Sequence, residues 1–235
     1  DADWRHLRHP GTIRALFPEV SPMYSNRNFN RWRRHPWHGL RTRADGAPED
    51  IVQVYIEMTP ADVVKYELDK VSGFLTVDRP QRTTSSPPAL YGFIPRTYCG
   101  DEVAKRCPQV EVADGDPLDI CVYSERHITR ADILLNARVV GGIQMIDSGE
   151  ADDKIVAVLE GDNIWGDVQD ITDLPPIKTE RLQHYFSTYK LVPDKDVDIK
   201  VDFVYGREEA LKVIAASQAD YQNKFGHLHT NGSAT

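Results

Sequence analysis

The chain has few cysteines, Cys99, Cys107 and Cys121. An odd number cannot all pair internally, and their spacing matches neither a zinc ribbon nor Cys-x-x-Cys, so free thiols are expected. Long apolar runs are missing as well. "ILLNARVV" at 133–140 and "IVAVL" at 155–159 fall far short of the roughly 20 residues a membrane-spanning helix needs. The N-terminus lacks a basic segment followed by an apolar core, and a cytoplasmic protein with no membrane partner is expected. Nor is there an excess of positive charge. With 28 Lys and Arg against 36 Asp and Glu the formal charge is −8, which argues against nucleic acid as the main partner. It does not argue against a small anion accompanied by metal ions. Internal repeats and long linkers are absent. What remains is an ordinary globular composition, 40% hydrophobic and 27% charged, over 235 residues, enough for one sizeable domain with extensions.

Residues 1–49 stand apart, with nine arginines, no lysine and three of the four tryptophans, Trp4, Trp32 and Trp37. They read as an N-terminal extension that packs its aromatics on the main domain or serves a subunit interface, where Trp and Arg are favoured. From residue 50 the pattern becomes that of strands. In "IVQVYIEM" Val52, Val54, Ile56 and Met58 alternate with Gln53, Tyr55 and Glu57. "KYELDK" and "GFLTVDR" follow, then a Pro- and Ser-rich bend and a polar stretch up to residue 113. Strands resume at 120–122, 133–146 and 155–159. "IKTERLQHYFSTYKLV" spaces Leu182, Tyr185, Phe186 and Tyr189 as one face of a helix. "VDIKVDFVYG" alternates again, and "REEALKVIAASQADYQNKFG" predicts a last helix before a frayed tail. The expectation is a mainly β protein with flanking helices, an α+β barrel domain over 50–206 and a C-terminal helix and tail over 207–235.

The segment "VADGDPLDICV" places Asp114, Asp116 and Asp119 within six residues before an apolar strand. Carboxylates this dense repel one another unless cations, hydrogen bonds or raised pKa values relieve them. A calcium loop counted from Asp114 would put Glu125 at position twelve, but position six is Asp119 where that loop needs Gly. A phosphotransferase Asp-x-Asp-x-Thr nucleophile needs an apolar strand before the first Asp, whereas "CPQVEVA" is polar and Leu118 replaces Thr. A second cluster, "MIDSGEADDKIVAV", carries Asp147, Glu150, Asp152 and Asp153 with Lys154 directly after. Two acidic clusters at strand ends, with Glu57, Lys65 and Glu67 on charged faces, predict a polar barrel mouth that holds divalent ions side by side. Such clusters acidify water and shield a phosphoryl group. Lys65, Arg79, Lys154 and Lys190 are available for the substrate's oxygens.

In these residues the chain resembles the soluble inorganic pyrophosphatases of family I. "DGDPLD" fits that family's Asp-x-Asp-Pro-x-Asp signature. "KYELDKVSGFLTVDR", "YGFIPRTY", "MIDSGEADDKIVAV", "DITDLP" and "HYFSTYK" follow the family order, so the likeness covers about residues 36–206. "HPWHGL" resembles the lead-in of plant-like members. The resemblance implies a five-stranded OB-like barrel, hydrolysis of inorganic diphosphate without a covalent intermediate, several Mg²⁺ ions per site and a homo-oligomer. It also implies roles: Asp114, Asp119 and Asp152 for the tightest ion, Asp119 reaching a second, Asp147 and Asp152 a third, and Glu57 and Glu67 outer-shell waters or a fourth. Asp116 would be the general base. Lys65, Arg79, Lys154, Tyr189 and Lys190 would hold phosphate oxygens, and Tyr91 matches the family's Tyr in the Tyr-Gly segment.

Three departures qualify the likeness. Pro87-Pro88-Ala89-Leu90 replaces the usual Tyr-Pro-x-Asn, so the support beneath the site is built differently. Ser148 stands where some bacterial members have Glu, and the polar segment between Tyr98 and Asp114 is extra. The rival reading is a metal- or nucleotide-binding module on the same barrel without catalysis.

Overall fold

The computed structural model describes residues 34–191 and 198–227. Trp4, Trp32 and the rest of the arginine-rich segment up to residue 33 lie outside the described residues, as does the tail from 228. From His35 onward the chain forms one compact unit.

Its centre is a closed sheet. The strands are β1 (Ile51–Met58), β2 (Val64–Leu68), β3 (Leu75–Pro80), β4 (Leu90–Phe93), β5 (Asp119–Tyr123), β6 (Ile133–Asp147), β7 (Glu150–Ala151), β8 (Lys154–Leu159) and β9 (Ile199–Gly206). β1 pairs β4, β4 pairs β5, β5 pairs β8, β8 pairs β6, and β6 returns to β1. Five strands thus close on themselves, as the OB-like expectation requires, and closure removes the exposed edges that would invite aggregation. β7 and β9 extend the long β6 outside the ring, and β2 and β3 make a separate hairpin.

Alternation decides what each face does. Val52, Val54 and Ile56 of β1, Leu90 of β4, Ile120 and Val122 of β5, Ala137 and Val139 of β6, and Ile155 and Ala157 of β8 meet in one buried cluster inside the ring. Ala210, Val213 and Ile214 of α3 (Arg207–Phe225) join that cluster. The opposite faces of the same strands, with Cys121, Tyr123, Val156 and Val158, are covered by Leu182, Tyr185 and Phe186 of α2 (Pro176–Thr188), which starts at a proline suited to the first helical turn. No helix among the described residues is long and apolar enough to cross a membrane.

Trp37 of "HPWHGL" is 3% exposed, donates its indole N–H to Thr97 O at 2.7 Å and packs edge-on against Phe225 of α3. The stretch at 80–113 holds more structure than its composition suggests. It contains β4 and a one-turn helix, α1 (Asp101–Ala104), whose free N–H groups at Glu102 and Val103, with that of Gly100, all donate to the buried carboxylate of Asp220 on α3. All three cysteines are buried and unpaired.

Candidate active site

The acidic loop before β5 is folded from within. Gly115, at a φ of +74° that disfavours a side chain, turns the backbone so that the Asp116 N–H donates to Asp114 Oδ1 at 3.0 Å. The extra segment after Tyr98 cradles this turn: Cys99 N–H donates to Asp116 O at 2.8 Å, and Gly115 N–H donates to Cys99 O at 3.0 Å. Thr97, fully buried, accepts the Leu118 N–H at 2.9 Å. The second acidic cluster is a tight hairpin between β6 and β7, with positive φ at both Ser148 and Gly149, the geometry that suits the twist of paired strands.

These elements meet at a pocket of about 310 Å³. Lys65, Arg79, Tyr91, Asp114, Asp116, Asp119, Asp147, Asp152, Lys154, Tyr189 and Lys190 all line it. Glu57 and Glu67, the other sequence-predicted residues, line a smaller hollow next door that shares Lys65, Tyr91, Asp116 and Asp119. The pocket is not in a barrel mouth, and that expectation is corrected. Tyr91, Asp119 and Lys154 alternate with the interior residues Leu90, Ile120 and Ile155, so the site is on the outer wall of β4, β5 and β8, beneath α2. Between these strands the interior is filled with close-packed apolar side chains.

At the floor Lys154, 2% exposed, reaches Asp119 Oδ2 at 2.5 Å and also pairs with Asp152. Tyr91 donates its hydroxyl to the same Asp119 oxygen at 2.5 Å. Around the rim each cation has an anion: Lys190 with Asp147, Arg79 with Asp78, and Lys65 with Glu67 at 3.1 Å and Asp78 at 3.2 Å. Asp116 pairs with Lys70. Lys70 went unnoticed in the sequence, since it sits in the β2–β3 turn and only the fold brings it to Asp116. Glu150 of the second acidic cluster also lines the pocket, with Met58, Gln81, Tyr185 and Phe186, which were unforeseen. Ser148 donates its hydroxyl to Asp147 Oδ1 at 3.1 Å, so at this departure from the bacterial pattern the side chain buttresses a neighbouring carboxylate.

Burial and mutual repulsion set the protonation of the floor. Desolvation, with the nearby charge of Asp152, pushes Asp114 up to about 9. Desolvation and the charge of Asp119 push Glu57 up to about 8. Burial raises Asp119 too, although Lys154 opposes it. Asp152 goes the other way: burial works against its charge, but Lys154 and the hydrogen bond shared with Asp114 outweigh it and lower its pKa. Burial and the charge of Asp119 keep the Tyr91 phenol neutral, well above its usual range.

Among the described residues no three His, Cys, Asp or Glu side chains already converge as ligands on one point. The donors are nevertheless of one kind, carboxylate oxygens, which suit hard divalent cations. Two of them, Asp114 and Glu57, are held protonated near neutral pH by burial and repulsion that a divalent cation would relieve. The residues fit such ions.

The family model described as inorganic pyrophosphatase matches residues 54–222. A Chlamydia caviae protein named inorganic pyrophosphatase is 48% identical over 201 residues, covering 81% of this chain and 92% of the relative. Soluble inorganic pyrophosphatase 1 of Arabidopsis thaliana is 37% identical over 196 residues, 83% of each chain. The crystal structure of inorganic pyrophosphatase from Thermus thermophilus superposes with a TM-score of 0.67 at 32% identity, covering 81% of this chain and 99% of that one. The fold thus has solved counterparts of one class. The chain belongs to the inorganic pyrophosphatase family.

Proposed function

We propose that this chain hydrolyses inorganic diphosphate to two phosphate ions at the wall pocket, with Asp116 as the base that takes the proton of the attacking water. The observation that carries the reading is the convergence, in one pocket, of the acidic loop, the second acidic hairpin and the cations Lys65, Arg79, Lys154 and Lys190, in a chain of this family.

Asp114, Asp119, Asp152 and Asp147 would hold Mg²⁺, with Glu57 and Glu67 behind them. Several such ions would screen the charge of diphosphate and acidify the attacking water. Lys154 fixes the Asp119 and Asp152 carboxylates from below. Tyr91, neutral and donating to Asp119, sets which of its oxygens faces the pocket. On the rim Lys65, Arg79, Tyr189 and Lys190 present the donors that bind the substrate's oxygens, and the three cations exchange their present carboxylate partners for phosphate. Asp116, held by Lys70 at the pocket edge, is the carboxylate left for proton transfer, so water attacks phosphorus directly and no covalent intermediate forms. The buried free thiols suit a reducing cytoplasm. Val71 and Val77, exposed on the β2–β3 hairpin, offer apolar surface for a homo-oligomer.

The test is phosphate release from diphosphate by the purified protein, titrated with Mg²⁺ and repeated with Asp116→Asn. Metal-dependent release that collapses in the variant is expected. Diphosphate and metal that bind without phosphate appearing would transfer the chain to the binding-module reading.

A further inference from the structure

Asp153 has no part in the reaction above, yet it sits between two residues that do. Asp152 and Lys154 point outward into the pocket. Asp153, their neighbour on the chain, points inward and is 4% exposed. Its Oδ2 accepts the Tyr205 hydroxyl at 2.8 Å, and its Oδ1 has no hydrogen-bond partner. A carboxylate in that position is costly unless it is held for a reason.

Tyr205 comes from β9, on the far side of β6 from the β8 segment that Asp153 leads into. In the sheet register Gly142 of β6 lies opposite Tyr205 of β9 on one side and opposite Ile155 of β8 on the other. The tyrosine therefore crosses over β6 to reach the residue two before Ile155. It can do so only because position 142 is glycine: a Cβ there would lie 2.3 Å from the Tyr205 ring. Gly142, Tyr205 and Asp153 form one brace spanning three strands inside the barrel end, and no local sequence pattern links them.

We infer that Tyr205 and Asp153 are positioning residues for the metal-binding wall, fixing from the inside the backbone whose outward side chains are Asp152 and Lys154. Neighbouring residues of an extended segment project to opposite faces, so a rotation that releases Asp153 inward turns Asp152 and Lys154 in the pocket. Lys154 ties Asp119 as well as Asp152, and the disturbance reaches β5 through it. The brace acts only on geometry and touches neither substrate nor ion. The inference rests on the proposed binding of Mg²⁺ by Asp152 and Asp119.

The experiment is calorimetric titration of the metal-free protein with Mg²⁺, for wild type, Tyr205→Phe, Asp153→Asn and the pair Asp153→Ala with Tyr205→Phe. Removing partners that orient metal ligands costs about 10–100-fold in affinity, and with the effect relayed through a neighbouring residue the expected loss in Tyr205→Phe is roughly tenfold. Asp153→Asn keeps the oxygen that Tyr205 needs, and its affinity should stay within about threefold of wild type. The double variant removes the Asp153 carboxylate together with the hydroxyl that answers it, which keeps the test open if Tyr205→Phe fails to fold, and it should show the same roughly tenfold loss rather than a greater one. Unchanged affinity in a folded Tyr205→Phe or in the double variant would overturn the brace while leaving the metal site in place. Wild type that takes up no Mg²⁺ would overturn both.

Discussion

Two of the hollows among the described residues contrast in size. The larger, about 770 Å³, lies between α1 and α3 and is lined by Tyr98, Asp101, Glu102, Lys105, Glu111 and Lys224 among others. The smaller, about 310 Å³, is the candidate active site. Both are polar and both mix acids with lysines. They differ in where the charges stand. In the large cleft the Lys105–Glu102 pair is a surface salt bridge, 66% and 43% exposed, of the sort that contributes little. In the small pocket the side chains of Lys154 and Asp152 are 3% and 11% exposed, and their protonation depends on each other. Volume does not mark the site; desolvated, interlocked charge does.

The strongest way to break that comparison is Asp116→Asn. Loss of a general base costs about 10²–10⁴-fold in turnover, and steady-state phosphate release should fall by that much with the protein still folded. The next effect is on stability. Lys154→Met leaves Asp119 and Asp152 buried without their cation, and breaking a buried pair in this way costs about 3–5 kcal/mol. Denaturant unfolding of the metal-free variant should show it, and Mg²⁺ should recover part of the loss.

A subtler difference is in protons. At pH 7 Asp114 and Glu57, lifted to about 9 and about 8, hold protons that the unfolded chain, with carboxylates near 3.8 and 4.5, has released. The folded state binds more protons, so the metal-free protein should lose stability as pH rises from about 4 towards 8–9, and should be flat in that respect below 4. Mg²⁺ must displace those protons to reach the oxygens. Titration with Mg²⁺ in weakly buffered solution at pH 7 should acidify the sample, and Glu57→Gln should reduce the release; a silent pH trace would contradict the assignment. The smallest effect is expected at the large cleft, where Lys105→Ala should leave both activity and its Mg²⁺ dependence as in wild type.

What could be read in advance followed from local regularity. Period-two alternation in β1 and β9, apolar runs in β6 and β8 and helical spacing in α2 and α3 are properties of neighbouring residues, and these elements appear where the pattern put them. The carboxylates of "DGDPLD" announced themselves by density. The four residues of β4 are too few to show a period, and α1 owes its N-terminal cap to Asp220, 118 positions from Glu102. Alternation told which residues share a face of a strand but not which face closes inward, hence the misplaced barrel mouth. Lys70 beside Asp116 and Tyr205 beside Asp153 are products of the fold, with nothing in their own neighbourhoods to signal them.

Lys154 has a further implication for the life of the chain. A zinc finger cannot fold until its ion arrives, because binding of that ion supplies the free energy of folding. Here a tethered ammonium stands among the aspartates from the moment β8 pairs with β5. A cation that is part of the polypeptide needs no supply and cannot diffuse away. Construction of the scaffold is thereby uncoupled from the metal content of its surroundings, and a newly made molecule can assemble before any ion reaches the carboxylates.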